Sequence, residues 1–222
     1  LGFGKYSLTW SDGAASLVEV AADKSLGKKK STIPYIVRTL THMPRGKSAK
    51  PVEAFLRRSE SRTVTRIARL PDHTVAVDRQ VTTESLSGDD ETSTQSSVLR
   101  EDVIAKISAM TVDHEGKTIY AGTNDGRLVR WQLDDQGAAS KREVVRAFPD
   151  GRGITALALV YGDVSLAVGD AKGDVTTWFP VAADGTRKLR LVHQLGSLSG
   201  PICEIHPSCR NKSVLSLSEN GE

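Results

Sequence analysis

Mostly apolar segments alternate with short polar segments over residues 107–133, ISAMTVDHEGKTIYAGTNDGRLVRWQL. Three short apolar or β-branched segments are predicted to be strands, over 107–112, 117–122 and 127–133. They are separated by the polar stretches 113–116 and 124–126, which end in glycine and contain residues that tolerate the positive φ of tight β-turns. Because such short connections leave no room for crossover helices, neighbouring strands are predicted to be antiparallel.

The same pattern recurs downstream, where residues 154–181 have the sequence ITALALVYGDVSLAVGDAKGDVTTWFPV. A strand start, a turn glycine and a tryptophan return after 47 residues: Ile107 and Ile154, Gly126 and Gly173, Trp131 and Trp178. A third copy begins at Ile202 and reaches the turn 219–221 before the sequence ends. A period of this length, made of antiparallel strands, predicts an all-β fold, a partial β-propeller of four-stranded blades.

Divided at this period, the chain is predicted to be a single propeller fragment, 1–222. Its predicted repeat units are 1–42, 52–105, 106–153, 154–200 and 201–222. Both terminal units are incomplete, which predicts that the sequence is cut from a longer propeller. In the first unit, 5–20 is expected to be a hairpin equivalent to the two middle strands of a blade, and 33–41 an outer strand.

The second unit is the least regular of the five. Strands are expected over 63–70 and 74–83, but the turn glycine and the tryptophan of the later repeats are missing. The stretch 84–97, ESLSGDDETSTQSS, is poor in apolar residues and is expected to be a mobile surface loop. The segments 143–148 and 189–195 are expected to be the outer strands of the two clear repeats.

Net charge and apolar content exclude several classes of protein. The chain carries 30 Lys and Arg against 27 Asp and Glu, a formal net charge of +3, whereas nucleic-acid-binding domains carry a clustered basic face. No stretch approaches the ~18 consecutive apolar residues of a membrane-spanning helix, and no signal peptide begins the sequence. The segment is therefore expected to be soluble as given and not to bind nucleic acid.

The stretch 203–209, CEIHPSC, holds both cysteines of the chain and one histidine. A structural zinc site takes four ligands, and the sequence has no second Cys/His pair to complete one, so no metal site is predicted. The sequence does not decide whether Cys203 and Cys209 form a disulfide. This bond would be strained with Cys203 on a strand and Cys209 in the following turn, and it requires an oxidising compartment.

Two basic clusters are candidates for binding anions such as phosphate. The first is Lys28, Lys29 and Lys30, and the second is Arg57, Arg58, Arg62 and Arg66. Both are interpreted as solvated surface. The glycine-rich turn 169–173 is not a phosphate loop, because no GKS or GKT follows it and no helix start is expected there. Trp131 and Trp178 are interpreted as packing residues between blades.

No constellation of catalytic residues is found in the sequence. The five histidines are scattered without paired spacing, at positions 42, 73, 114, 193 and 206. No GxSxG motif is present, and the acidic residues fall mostly in turns, where aspartate is favoured for backbone reasons. The sequence therefore predicts a protein that is not an enzyme, with no catalytic residues, no metal and no cofactor.

The amino-acid sequence of the C-terminal half resembles that of a known family. Residues 154–181 and 200–221, the latter GPICEIHPSCRNKSVLSLSENG, resemble the large soluble insert of bacterial phosphate ABC-transporter permeases of the PstC type. In enlarged members of that family, a WD-like propeller interrupts the permease between its first and second membrane helices. The resemblance covers roughly residues 100–222.

This resemblance implies a non-catalytic accessory domain of a bacterial inner membrane protein, on the periplasmic side and attached through flanking helices. Its implied partners are the other subunits of a phosphate ABC transporter or its binding protein. The chain departs from the WD-repeat pattern, because no Gly-His dipeptide precedes a repeat and Gln132, rather than Asp, follows Trp131. The His–Asp–Trp hydrogen-bond network of that pattern is therefore in question here.

Two other classes of function are weighed against this one. The first is a generic propeller scaffold for protein partners that is unrelated to transport, and the second is a propeller enzyme or a ligand-binding lectin. In each case the incomplete terminal units leave blade edges open. We therefore expect the first and last units to pair within one chain, or two chains to associate as a homodimer.

Overall fold

The computed structural model describes residues 5–11, 14–20, 53–58, 63–83, 91–100, 105–183, 185–208 and 213–222. The strands in these ranges all pair antiparallel with their sequence neighbours, which confirms the all-β prediction. The same ranges contain no helix that is long and apolar enough to cross a membrane. The chain divides into two compact units, Leu1–Met43 and Pro44–Glu222, so the assignment of 1–222 to one propeller fragment stays a prediction.

The compact unit Leu1–Met43 contains the hairpin expected over 5–20. Strands β1 (Lys5–Ser11) and β2 (Ala14–Val20) form a two-stranded antiparallel sheet in which Leu8 lies opposite Leu17. The outer strand expected over 33–41 lies outside the described residues.

The compact unit Pro44–Glu222 contains three four-stranded sheets, called here blades 1 to 3, and a two-stranded sheet, called half-blade 4. Blade 1 consists of β3 (Glu53–Arg58), β4 (Thr63–Arg69), β5 (Val75–Thr83) and β6 (Glu91–Leu99). Blade 2 consists of β7 (Ile107–Val112), β8 (Thr118–Thr123), β9 (Arg127–Leu133) and β10 (Ala139–Arg146). Blade 3 consists of β11 (Ile154–Val160), β12 (Ser165–Asp170), β13 (Asp174–Ala183) and β14 (Thr186–Ser197). Half-blade 4 consists of β15 (Ile202–Pro207) and β16 (Val214–Ser218).

These strands match the predicted ones closely in the two clear repeats, but the loop expected over 84–97 is partly wrong. Strand β6 pairs with β5 along its whole length, from Leu99 opposite Val75 to Glu91 opposite Thr83. The side chains of residues 91–96 are exposed. An outer strand needs only backbone hydrogen bonds on one side, and threonine suits a pleated backbone, so a polar composition did not prevent pairing.

The hydrophobic core lies between successive blades. Trp131 is 2% exposed and joins Ile67 and Val77 of blade 1 in one core cluster. Trp178 is 6% exposed and joins Leu128 and Phe148 of blade 2 in the next. Both tryptophans therefore pack between blades, as predicted.

Two glycines allow the blades to approach closely. Gly122 and Gly169 lie on the second strands of blades 2 and 3, and a side chain on either would collide with the first residue of the next blade. A Cβ on Gly169 would lie 2.6 Å from Ile202 Cγ2, and one on Gly122 would be closer still to Ile154. Both isoleucines are fully buried, so the two glycines leave room for the side chain that opens the next sheet.

Candidate interaction surfaces

The first strands of blades 2 and 3 and of half-blade 4 share a β-bulge after their first residue. The bulged residue breaks the register with the second strand and carries a small polar side chain. Each donates to a carbonyl of the second strand, at 3.2, 3.4 and 3.2 Å: Ser108 to Gly122, Thr155 to Gly169 and Cys203 to Leu217. Cys203 therefore occupies a structural position of the repeat that is filled elsewhere by a hydroxyl.

These first strands line a polar groove of about 370 Å³, called here the inner groove. Glu53 Oε2 lies 3.3 Å from Arg69 Nε, and burial raises the pKa of Glu53 although the nearby Arg69 partly offsets this effect. On β15, His206 Nε2 lies 2.7 Å from Glu204 Oε2. The described residues contain no group of three or more His, Cys, Asp or Glu placed to hold a metal ion. Cys203 is exposed and free, without a disulfide, and Cys209 lies outside the described residues.

A larger groove of about 820 Å³ runs between the outer strand of blade 2 and the β13–β14 turn of blade 3. It is called here the outer groove, and its lining residues are Arg130, Gln132, Lys141, Arg142, Glu143, Val144, Val145, Gly185, Thr186, Arg187 and Lys188. Val144 and Val145 are both half-buried, but Val144 packs towards blade 1 and Val145 towards blade 3, so Val145 provides the apolar lining on the side of blade 3. Five of these residues are cationic and one, Glu143, is anionic.

An ion pair between a buried arginine and a half-buried glutamate joins the two blades at the outer groove. The Arg130 side chain is 8% exposed, and its Nη2 lies 2.8 Å from Glu143 Oε2. Both partners also contact blade 3: Arg130 Nη2 donates to the Arg187 carbonyl at 2.5 Å, and Glu143 Oε1 accepts from the Leu189 backbone N–H at 2.8 Å. Because buried polar groups are costly to leave unpaired, these contacts hold the outer strands in one arrangement. The groove is therefore preformed.

Three of the remaining cations form the rim of the outer groove. Lys141 on β10, and Arg187 and Lys188 at the start of β14, are exposed. They are separated by more than 40 residues in sequence, and the repeat brings them together. Sequence reasoning missed this surface because it examined cationic runs, whereas here the fold assembles the cluster from two blades.

A second ionic cluster joins the loop before blade 3 to the turn that follows β12. Arg152 Nε lies 2.8 Å from Asp170 Oδ2 and 3.1 Å from Asp150 Oδ1, and Arg152 Nη1 lies 2.5 Å from Asp174 Oδ2. Asp170 is fully buried, and its other oxygen accepts the Lys172 and Asp174 backbone N–H groups at 2.9 Å. In blade 3, Arg152 thus partners the buried turn aspartate.

The predicted basic clusters turn out differently. Arg57 is not solvated surface, because it bridges blades 1 and 2 by donating to the Asp113 and Val112 carbonyls at 3.1 and 3.3 Å. Arg66 is half-buried within blade 1. The side chains of Arg58, Arg62 and residues 28–30 lie outside the described residues. Arg57 and Arg66 are not among the residues that line the outer groove.

Comparison with known proteins supplies the fold. No family model matches the chain, and no curated protein sequence matches it. Among solved structures, it resembles the β-propeller domain of Cps50 (Swd1) from Myceliophteria thermophila, with a TM-score of 0.55 and 18% sequence identity. The match covers 97% of this chain and 63% of that one, so the chain spans less than two thirds of its neighbour's length. At this identity the likeness shows the fold alone, and the fold is a WD-like β-propeller.

Proposed function

We propose that the chain is a non-catalytic protein-interaction domain. The observation that carries this proposal is the outer groove, a preformed surface recessed between two blades that the Arg130–Glu143 pair locks together. A binding surface of fixed shape loses little conformational freedom when a partner docks. Its rim side chains are exposed and charged, which suits recognition of a protein partner.

We further propose that the partners are other subunits of a phosphate ABC transporter or its binding protein. The support is the sequence resemblance of residues 154–181 and 200–221 to the propeller insert of PstC-type permeases. In this proposal the domain belongs to a bacterial inner membrane protein, lies on the periplasmic side and is tethered through flanking helices. The structural neighbour contributes the fold and no transport context.

The gene that encodes the chain tests the transporter proposal directly. We expect codons for one apolar membrane helix before residue 1 and for several after residue 222. With such flanks, the full-length protein in membrane vesicles should retain a phosphate-binding protein, and deletion of residues 53–222 should reduce that retention. Polar flanks without membrane helices would overturn the transporter proposal and leave a generic interaction scaffold as the function.

Self-association is a second way in which the chain could use an exposed surface. Leu215 and Leu217 on β16 are 67% and 37% exposed, and β16 is the last strand of a two-stranded sheet. Unpaired strand edges favour pairing with another chain, so we propose a homodimer formed through half-blade 4. Light scattering coupled to a sizing column should give the mass of a dimer, and replacing both leucines by lysine should give a monomer. A monomeric wild-type chain would contradict this proposal.

A further inference from the structure

We infer that the outer groove binds an acidic, extended segment of a partner protein that carries at least one apolar side chain. This inference rests on the proposed interaction function and names the chemistry of its partner. Charge, shape and the free strand edge at the groove each support it.

The first argument is charge complementarity. Lys141, Arg187 and Lys188 are exposed on the rim, and the one carboxylate among the lining residues, Glu143, is paired with the buried Arg130. The whole chain has a formal net charge of only +3. Positive charge is therefore concentrated at this groove, and an acidic segment is the ligand that it attracts.

The second argument is the shape and lining of the groove. A volume of about 820 Å³ recessed between two blades admits a few residues of extended chain, whereas a flat membrane surface contacts only the rim. The half-buried Val145, on the face of β10 that packs towards blade 3, offers an apolar contact beneath the cations. No aromatic residue is among the lining residues, although single-stranded nucleic acids are bound by stacking their bases on such side chains. A peptide therefore fits better than a lipid surface or a nucleic acid.

The third argument is the strand edge. Strand β10 lies at the end of the order β10-β9-β8-β7, so one side of its backbone is not paired within blade 2. An extended peptide can add to such an edge through main-chain hydrogen bonds, with its alternate side chains directed to the groove. This mode places acidic side chains of the peptide beside Lys141 on one wall and beside Arg187 on the other.

The experiment uses the chain as it stands and a fluorescein-labelled peptide of sequence EELEELEE. Binding is followed by fluorescence anisotropy at low and at physiological salt. Three exposed cations of the groove are reversed in one variant, Lys141→Glu, Arg187→Glu and Lys188→Glu. A matched control reverses three exposed cations elsewhere: Arg100→Glu, Lys106→Glu and Lys117→Glu. Each variant has the same formal net charge of −3, starting from +3.

We expect the groove variant to lose at least about tenfold in affinity and the control to lose less than about threefold, with affinity falling as salt rises. A second groove variant, with the same three residues changed to glutamine, should show an intermediate loss and guards against misfolding of the charge reversal. Circular dichroism checks that all variants fold.

Three results would overturn the inference: equal losses in the groove variant and the control, no binding of the peptide to the wild type, or groove-dependent binding to vesicles with 30% phosphatidylserine but not to the peptide. Retention of a natural protein partner that the groove variant leaves unchanged would overturn this inference alone and would spare the proposed interaction function.

Discussion

Equivalent turns in blades 2 and 3 reach the same backbone geometry with different side chains. In blade 2, Thr123 Oγ1 accepts the Arg127 backbone N–H at 2.9 Å. In blade 3, 47 residues later, Asp170 Oδ1 accepts the Asp174 backbone N–H at the same distance. Both capping residues are fully buried.

The difference lies in what else each capping residue contacts. The Thr123 hydroxyl lies 2.5 Å from Asp125 Oδ1 and donates to the Arg127 carbonyl at 3.1 Å, so the hydrogen bonds of this capping side chain stay within five residues. The buried Asp170 carboxylate instead contacts Arg152, which belongs to the loop before blade 3. The capping side chain of blade 2 is thus satisfied locally, while that of blade 3 links the second half of its blade to the loop that precedes it. A neutral cap needs no counter-charge, but a buried carboxylate does.

Replacing the capping residue should give the largest difference in the free energy of unfolding between the two turns. Asp170→Ala leaves Arg152 without its buried partner and two backbone N–H groups without an acceptor, and we expect it to lower the free energy of unfolding by about 3–5 kcal/mol. Thr123→Ala removes one hydroxyl and should cost about 1–3 kcal/mol. Urea unfolding at constant m-value measures both. Equal losses would show that the link to Arg152 contributes nothing.

The glycine in the turn of blade 3 offers the next largest effect. Gly173 has a φ of +99°, and a Cβ there would collide with the Leu198 carbonyl, whereas Gly162 has a φ of +72° and open space around its Cα. We expect Gly173→Ala to cost about 2–4 kcal/mol, from the left-handed backbone and from the steric clash together. Gly162→Ala, with backbone strain alone, should cost about 1–2 kcal/mol. Thermal unfolding of the two variants side by side gives the difference, and a reversed order would refute the steric argument.

The same contrast explains how much could be predicted from the sequence. The strands of blades 2 and 3 and their turns were predictable, because turn residues and apolar runs act over a few neighbours. The link between Arg152 and Asp170 was not, since it depends on how one loop lies against a turn 18 residues further on. Strand β6 was missed because its pairing uses the backbone of β5 rather than its own side chains.

The interaction surfaces show the same limit. The outer groove draws its cations from β9, β10 and the start of β14, and no local pattern connects these segments. The sequence predicted a solvated Arg57. The structure instead pairs Arg57 with backbone carbonyls of the next blade, and a sequence does not reveal contacts of this kind. The buried tryptophans were predictable, since a repeated aromatic residue on an apolar strand has few positions other than a core.

Double-mutant cycles should sharpen the comparison of the two turns. Arg127 and Asp125 form a local pair at 3.0 Å, and Arg152 and Asp174 form a pair at 2.5 Å between the loop and the turn. We expect a coupling energy of about 0.5 kcal/mol for the local pair, which is typical of partly exposed ion pairs. The pair to Arg152 should show about 1 kcal/mol or more, because Arg152 is also held by the buried Asp170. Similar coupling energies would mean that the connection to the loop adds no strength.

The smallest expected effect concerns pH. The hydrogen bond from the Ser197 hydroxyl holds the pKa of Asp174 below its usual range, and the charge of Arg152 adds to this effect. Since the folded pKa is depressed, the stabilisation is present above the unfolded-state pKa of about 3.9 and is lost as pH falls through the folded value. Ser197→Ala should therefore cost up to about 1 kcal/mol at neutral pH, as is usual for exposed charged contacts, and this loss should shrink towards zero in acid.

Ser140→Ala is the matched control for this pH dependence. Ser140 is also an exposed serine on an outer strand, but its hydroxyl donates to the Gln132 carbonyl at 3.0 Å, which does not titrate. The cost of Ser140→Ala should consequently be the same at neutral and acid pH, whereas that of Ser197→Ala should fall. Urea unfolding of both variants from pH 7 down through the titration of Asp174 compares them. Parallel curves for the two variants would show that the Ser197 hydroxyl does not stabilise the Asp174 carboxylate, which is the group that pairs with Arg152.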